Sequence, residues 1–261
     1  MKILVGGGLG NQLFGYAYGR YYSLKDKEDL IISLKHFSND GREKNGRLFG
    51  LDKLNIKAKI VKDPIFLSPR FYFYKLLTKS FPRWFNNNYQ GRKDILRIGQ
   101  IDNLLRQELT LTEPLSPESE IIKAQILAAS NPVSIQIRRG DYTKLDWQTS
   151  LDFYEQAINY IKIKTDTPTF FIFSDDIGWC KQNFKLDNVI WVSRPEIADY
   201  EEIILMSLCQ NHIISNSTFA WWGAWLNPKP NKIVIAPKIW FPKENISTDQ
   251  VGICPKDWIQ I

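Results

Sequence analysis

Cysteine is scarce in this sequence, with three in 261 residues, Cys180, Cys209 and Cys254. They are widely spaced, odd in number and form no CxxC pair, so neither a zinc site nor a disulfide framework is indicated. Reduced, buried thiols are the expectation. Also missing is any run of about 20 apolar residues, so nothing is expected to span a bilayer. Met1-Lys2-Ile3-Leu4-Val5 runs straight into glycines, too short an apolar stretch for a signal peptide. A cytoplasmic setting is therefore expected. Charge does not cluster either. The net charge is +6, and Asp and Glu are interleaved with Lys and Arg along most of the chain. That balance argues against a nucleic-acid partner. It suits an anionic ligand such as a nucleotide diphosphate, or the surface of an acidic membrane.

The rest of the composition is ordinary for a globular enzyme, with 44% hydrophobic and 24% charged residues. The length allows one large domain or two small ones. Nine Trp and eleven Tyr make the chain rich in rings that either fill cores or stack on the apolar faces of sugars.

Lys2 to Val5 reads as a short buried strand, followed by Gly6-Gly7-Gly8-Leu9-Gly10-Asn11-Gln12. A helical pattern comes next, with Leu13, Ala17, Tyr21 and Leu24 on one face. A second strand is expected over 29–34. Strand, glycine turn, helix and strand open an α/β unit. From about His36 to Glu113 the pattern is broken by Pro64, Pro69 and Pro82. This stretch carries a basic-aromatic segment, from Arg70-Phe71-Tyr72-Phe73-Tyr74-Lys75 to Arg83-Trp84-Phe85. The segment is either core helix or an interfacial patch lying peripherally on a membrane.

Regularity begins at Ser116-Pro117, a helix start with Glu118 and Glu120 in the first turn. Strands are expected over 133–137, 169–174, 189–192 and 212–215, with a last one over 232–235. Helices are expected between them, over about 150–164, 177–184, 198–209 and 219–226. Strands spaced by helices make a parallel sheet with right-handed crossovers. The second half is therefore Rossmann-like. The boundary falls between about Glu113 and Pro132, giving domains 1–125 and 126–261.

In an open parallel sheet, ligands bind beyond the carboxyl ends of the strands. One strand there delivers Arg138-Arg139-Gly140-Asp141-Tyr142, the next Ser174-Asp175-Asp176, and a third Asn216-Ser217-Thr218-Phe219. The opening strand delivers Gly6 to Asn11. Glycines allow backbone N–H groups to approach an anion closely, although no dinucleotide or P-loop fingerprint is complete. Paired guanidiniums can fork onto a diphosphate or onto a fixing carboxylate, of which Asp141 is the nearest in sequence. Asp175 and Asp176 point oppositely on an extended chain, with no His or Asp-x-Asp partner for a metal. One can meet ribose or guanine while the other caps the following helix. Ser217 and Thr218 either cap a helix or hold a phosphate.

Together these segments resemble the α-1,2-fucosyltransferase family, glycosyltransferase family 11. The family's GGLGNQ is matched by Gly7 to Gln12, its HxRRxD by Gln136-Ile137-Arg138-Arg139-Gly140-Asp141, and its FSDD by Phe173 to Asp176, with Trp179 behind it. Ser215-Asn216-Ser217-Thr218-Phe219-Ala220-Trp221-Trp222-Gly223-Ala224-Trp225-Leu226 is close to the family's SNSTFSWWGAWL. Pro237 and Trp240-Phe241 resemble its closing motif.

The resemblance implies a GT-B-like α/β fold, two Rossmann-like halves facing a cleft, with the acceptor on the side of the first half. It implies inverting transfer of L-fucose from GDP-β-L-fucose to a sugar hydroxyl, α-1,2 to galactose, in surface glycan synthesis. The acceptor would be an oligosaccharide or a lipid-linked glycan. No cofactor and no metal are implied. Arg138 and Arg139 would hold the diphosphate. Ser217, Thr218 and Phe219 would contact donor phosphate and base, and Asp175 guanosine. Asn11 would lie near the reacting sugar. Gly8, Gly10, Gln12, Gln136, Asp176 and Asn216 complete the expected substrate contacts.

One departure matters. The family's motif His is Gln136 here, and only His36 and His212 remain in the chain. Gln cannot take a proton, so position 136 is expected to be a structural hydrogen-bonding residue. His212 is expected to be a core residue. Asp141 and Asp146 are the candidates for general base. Alternatively, departure of the nucleotide runs ahead of attack and asks little of a base.

Overall fold

The computed structural model describes residues 1–35, 37–38, 40–43, 46–62 and 97–261. The basic-aromatic segment around 70–85, and His36, lie outside the described residues. The chain divides into two compact units, residues 1–113 with 250–253, and residues 114–249 with 254–261.

The first unit opens as the glycine turn dictates. Strand β1 (Lys2–Leu4) leads through Gly7, at φ 76°, into helix α1 (Leu9–Asp26). Helix α1 stops at Lys27, in the left-handed region at φ 55°, and strand β2 (Ile31–Ser33) comes next. Strand β3 (Lys59–Val61) completes a parallel sheet of order β1-β2-β3. The helix lies close on this sheet. A Cβ at Gly19 would stand 2.8 Å from Ile3 and 2.9 Å from Leu30.

The buried face of α1 runs through Leu9, Leu13, Tyr16 and Ala17, whereas Leu24, expected on that face, is exposed. The face turns because α1 also packs on helix α2 (Asp102–Glu108) through polar groups. The buried Glu108 carboxylate accepts from Arg20 Nη2 at 2.8 Å and Nε at 3.0 Å, and from the Tyr16 hydroxyl.

The second unit begins at Pro114. Helix α3 (Pro117–Ala128), capped by Ser116, belongs wholly to it. The reason is Glu201, a buried carboxylate that accepts from the backbone N–H groups of both Ser116 and Ala198. It thereby ties the start of α3 to the start of a later helix, running from Asp199 to Leu208.

Six strands form the sheet here: β4 (Pro132–Ile137), β5 (Thr169–Ser174), β6 (Val189–Trp191), β7 (Asn211–Ile213), β8 (Val234–Ala236) and β11 (Ile259–Gln260). Their order is β11-β8-β7-β4-β5-β6, with every pairing parallel. The intervening helices are α4 (Gly140–Leu145), α5 (Leu151–Lys164), α6 (Ile177–Asn183), α7 (Asp199–Leu208) and α8 (Thr218–Leu226). The strand ending in Ala236 is not the last. An antiparallel pair, β9 (Ile239–Phe241) and β10 (Ile246–Ser247), and then β11 come after it.

Period-2 alternation divides the sheet's side chains. Val133, Ile135, Ile137, Phe170 and Ile172 pack with Phe153, Tyr154, Ile158 and Ile161 of α5 and Cys180 of α6. Helices α7 and α8 pack on each other. From Ala220 to Leu226 helix α8 is buried on all sides, as a helix apolar all round must be. Trp221, Trp222 and Trp225 contact one another there, so these rings fill core. A Cβ at Gly223 would meet Met206 of α7 at 2.8 Å, so glycine permits the close helix contact. No helix among the described residues is long and apolar enough to cross a membrane.

Candidate functional site

Strand order places the chemistry. The chain enters the sheet at β4, moves outward through β5 and β6, then returns to lay β7 on the other side of β4. Between β4 and β7 is a topological switch point, where successive connections diverge and leave a crevice at the carboxyl ends. Arg138 and Arg139 leave the end of β4, and Ser215 to Thr218 lie just beyond the end of β7.

Strand β5 runs in register with β4, Ile137 opposite Ser174, so the two Arg stand beside the two Asp. The pairing is specific. Arg138 gives Nη1 to Asp175 at 2.8 Å and Nη2 to Asp141 at 2.6 Å, and its guanidinium lies 5.5 Å from the Tyr142 ring centre. Burial works against the Arg138 charge, but Asp175 and Asp141 hold its pKa above the ordinary value. Arg139 donates its backbone N–H to Asp175 at 2.8 Å and its Nε to Asp176 at 3.3 Å. Asp175 and Asp176, expected to point oppositely, both reach Arg139, one through its backbone and one through its side chain. Asp176 is the N-cap of α6, accepting the Trp179 N–H at 3.1 Å. The Asp175 carboxylate is engaged by the Arg pair.

Ser217 caps α8, accepting from Phe219 N–H at 3.3 Å. Thr218 and Phe219 are half-buried at the start of that helix. Three polar residues of the motifs turn inward, among them Gln136, expected to be a structural hydrogen-bonding residue. Gln136 is 4% exposed, and its Oε1 accepts from Ser215, so it joins β4 to the end of β7. Asn216 donates to Trp147 O and Trp240 O, both at 2.7 Å, and accepts from Thr149 at 2.9 Å. Its amide is spent on three backbone and side-chain tethers. Gln12, in the first unit, is fully buried, donating to Gly7 O and Leu48 O and accepting from Gly50 N–H. It pins the glycine turn.

The remaining first-unit residues sit on that turn. Gly8 precedes α1, and Gly10 is buried within it. Asn11 is half-buried. A Cβ on Gly7 would come 2.8 Å from its Nδ2. Glycine at position 7 thus serves both the positive φ and the Asn11 amide. The Gly7 N–H already meets a carboxylate, Glu43 at 2.8 Å.

The two candidate bases differ. Asp141 is paired with Arg138, whereas Asp146 is exposed and ends α4 at φ 56°. His212 is a core residue. Its Nε2 lies 2.8 Å from the Asn227 amide nitrogen and its Nδ1 2.7 Å from Ser134 Oγ. Burial, with Lys232 and Lys229 nearby, keeps its pKa well below the ordinary value, so the ring is neutral. An acid absent from the expected set also stands at this rim. Glu202 of α7 is pushed up to about 8, chiefly by burial and further by the charges of Asp199 and Asp175. No motif marks it, because Ser193 and Asp175, which act on it, lie in other segments of the chain.

The model for glycosyl transferase family 11 matches residues 79–261. An α-1,2-colitosyltransferase of Escherichia coli is 31% identical over 287 residues, covering 98% of this chain and 96% of that one. The O-antigen biosynthesis glycosyltransferase WbnK of Escherichia coli is 29% identical over 292 residues, covering 95% and 97%. Among solved structures, NodZ α-1,6-fucosyltransferase co-crystallized with GDP superposes with a TM-score of 0.56 at 13% identity, covering 87% of this chain and 92% of that one. That likeness is one of fold, and the fold is GT-B-like. The paired guanidiniums at the switch point, the SNST-capped tryptophan helix and the full-length similarity agree, and the chain is a glycosyltransferase belonging to glycosyl transferase family 11.

Proposed function

We propose that this enzyme transfers a deoxyhexose, L-fucose, from GDP-β-L-fucose to a sugar hydroxyl with inversion, forming an α-1,2 linkage to galactose during surface glycan synthesis. The observation that carries the reading is the Arg138-Arg139 pair at the carboxyl end of β4, beside the β4/β7 crevice. Breaking a sugar–phosphate bond builds negative charge on the departing diphosphate and positive charge on the ring. Preorganised guanidiniums in a partly dry crevice stabilise the former by about 3–4 kcal/mol. The reading needs no cofactor, since this chain's own cations meet the charge. Ser217, Thr218 and Phe219, at the start of α8, would complete the donor contacts. Asp141 is committed to Arg138, which leaves Asp146 as the base, with departure running ahead of attack.

The colitosyltransferase among the relatives favours a second reading, in which the sugar moved is colitose. Colitose lacks one hydroxyl of fucose, and a site built to bond a hydroxyl rejects an analogue without it. Turnover of GDP-fucose against GDP-colitose, read by mass spectrometry on a galactoside array, separates the two. Arg139→Ala should abolish transfer with the circular dichroism unchanged. Near-normal turnover would refute the assignment.

A further inference from the structure

Among the described residues, the two guanidiniums are committed to different degrees. Arg138 spends both terminal nitrogens on carboxylates, Nη1 on Asp175 and Nη2 on Asp141. Arg139 is held by other atoms: its backbone N–H by Asp175, its Nε by Asp176 and one face by an indole. That indole is Trp179, whose ring centre lies 3.6 Å from the Arg139 guanidinium carbon. This is contact distance, well inside the roughly 6 Å limit for a cation over a ring. Asp176 fixes both members of the stack, accepting the Trp179 N–H through Oδ1 and the Arg139 Nε through Oδ2. Both Arg139 terminal nitrogens are left without a partner among the described residues, on a side chain that is 21% exposed.

We propose that Trp179 is a positioning residue for transfer, which with Asp176 orients Arg139 so that its two free nitrogens meet the departing diphosphate. This rests on the function proposed above. A guanidinium on a flexible stem loses rotamer freedom when it binds phosphate. A ring and a carboxylate that hold it beforehand remove that cost. The ring also shields one face from water, which strengthens the charge toward the other. Trp179 lies near Phe184 as well, with ring centroids 6.0 Å apart, so it also contributes to packing. A test must separate the two roles.

Trp179→Phe keeps an aromatic face, and Trp179→Met keeps apolar volume without one. The measurements are kcat and KM for GDP-fucose and GDP-colitose, GDP affinity by calorimetry, and melting temperature. Each variant is made in the wild-type and in the Arg139→Ala background. Trp179→Met should lower kcat about tenfold and weaken GDP binding while remaining folded. Trp179→Phe should recover most of that loss. In the Arg139→Ala background, Trp179→Met should leave GDP affinity unchanged, because the group it acts through is gone. A folded Trp179→Met protein with wild-type kcat and GDP affinity overturns the proposal alone. So does an equal loss of affinity in both backgrounds, or a Phe variant no better than Met. Wild-type protein that neither binds GDP nor transfers from either donor overturns the functional reading, and this proposal with it.

Discussion

Gly140 comes directly after the Arg pair, and a Cβ there would stand 2.5 Å from Asp175 Oδ2. Because the atom it meets is the end of a side chain, substitution should displace the carboxylate and leave the fold intact. Gly140→Ala is therefore expected to loosen Arg138 and cut kcat/KM about tenfold or more, with the melting temperature nearly unchanged. A variant that unfolds while its residual native fraction works normally would contradict this.

Glu202 supplies a test by pH. Its folded pKa, about 8, lies above the ordinary carboxylate value of 4.5. For a carboxyl raised in this way, ionisation favours the unfolded chain. Stability is complete below about pH 4.5 and is lost progressively as pH rises toward about 8. Glu202→Gln should remove that dependence, raising the melting temperature at pH 8 more than at pH 5. Equal shifts at the two values would show that burial does not set this group's titration.

At the scale of elements, α7 and α8 meet at a glycine. The atoms opposing a Cβ at Gly223 include Met206 Cβ, 2.8 Å away, which is fixed to its backbone and cannot swing aside. Gly223→Ala should cost about 1–3 kcal/mol in overpacking, visible as a lower denaturation midpoint at unchanged slope.

The elements best legible in advance were those carrying a full period of pattern. The six residues of β4 and of β5, and helices α3, α5, α7 and α8, lie close to their expected places. Strands β3, β9, β10 and β11 span only two or three residues and lie outside the strand–helix alternation that marked equally short strands such as β6 and β7. Strands β3 and β11 are held by the remote strands β2 and β8, and β9 and β10 by each other. At the site, sequence carried the Arg pair, the Asp176 cap and the Ser217 cap, since each is a local relation within three residues. It carried the structural hydrogen-bonding role of Gln136 but not the burial of Gln12 and Asn216. Their partners Leu48 and Trp147 lie 36 and 69 residues away, beyond the reach of any local pattern. Polar residues in a motif read as ligand contacts, and only the packed structure reveals which serve as tethers.

For the whole molecule, a guanine nucleotide should act as a stabiliser. A ligand at 100 times its Kd adds about 2.7 kcal/mol by mass action, so saturating GDP should raise the melting temperature by roughly 5–10 °C. UDP or CDP at equal concentration should leave it within error. Equal shifts from all three would remove guanine selectivity from the proposal.

The alignment of β4 with β5 has a consequence for quality control. Acidic and basic dipeptides face each other only because Ile137 stands opposite Ser174. A one-residue slip would send every side chain of β5 to the wrong face. It would also separate the four charges, so a misthreaded sheet could keep its bulk and solubility and yet be silent. Specific activity in this enzyme should therefore report the fraction of chains that have closed their sheet correctly.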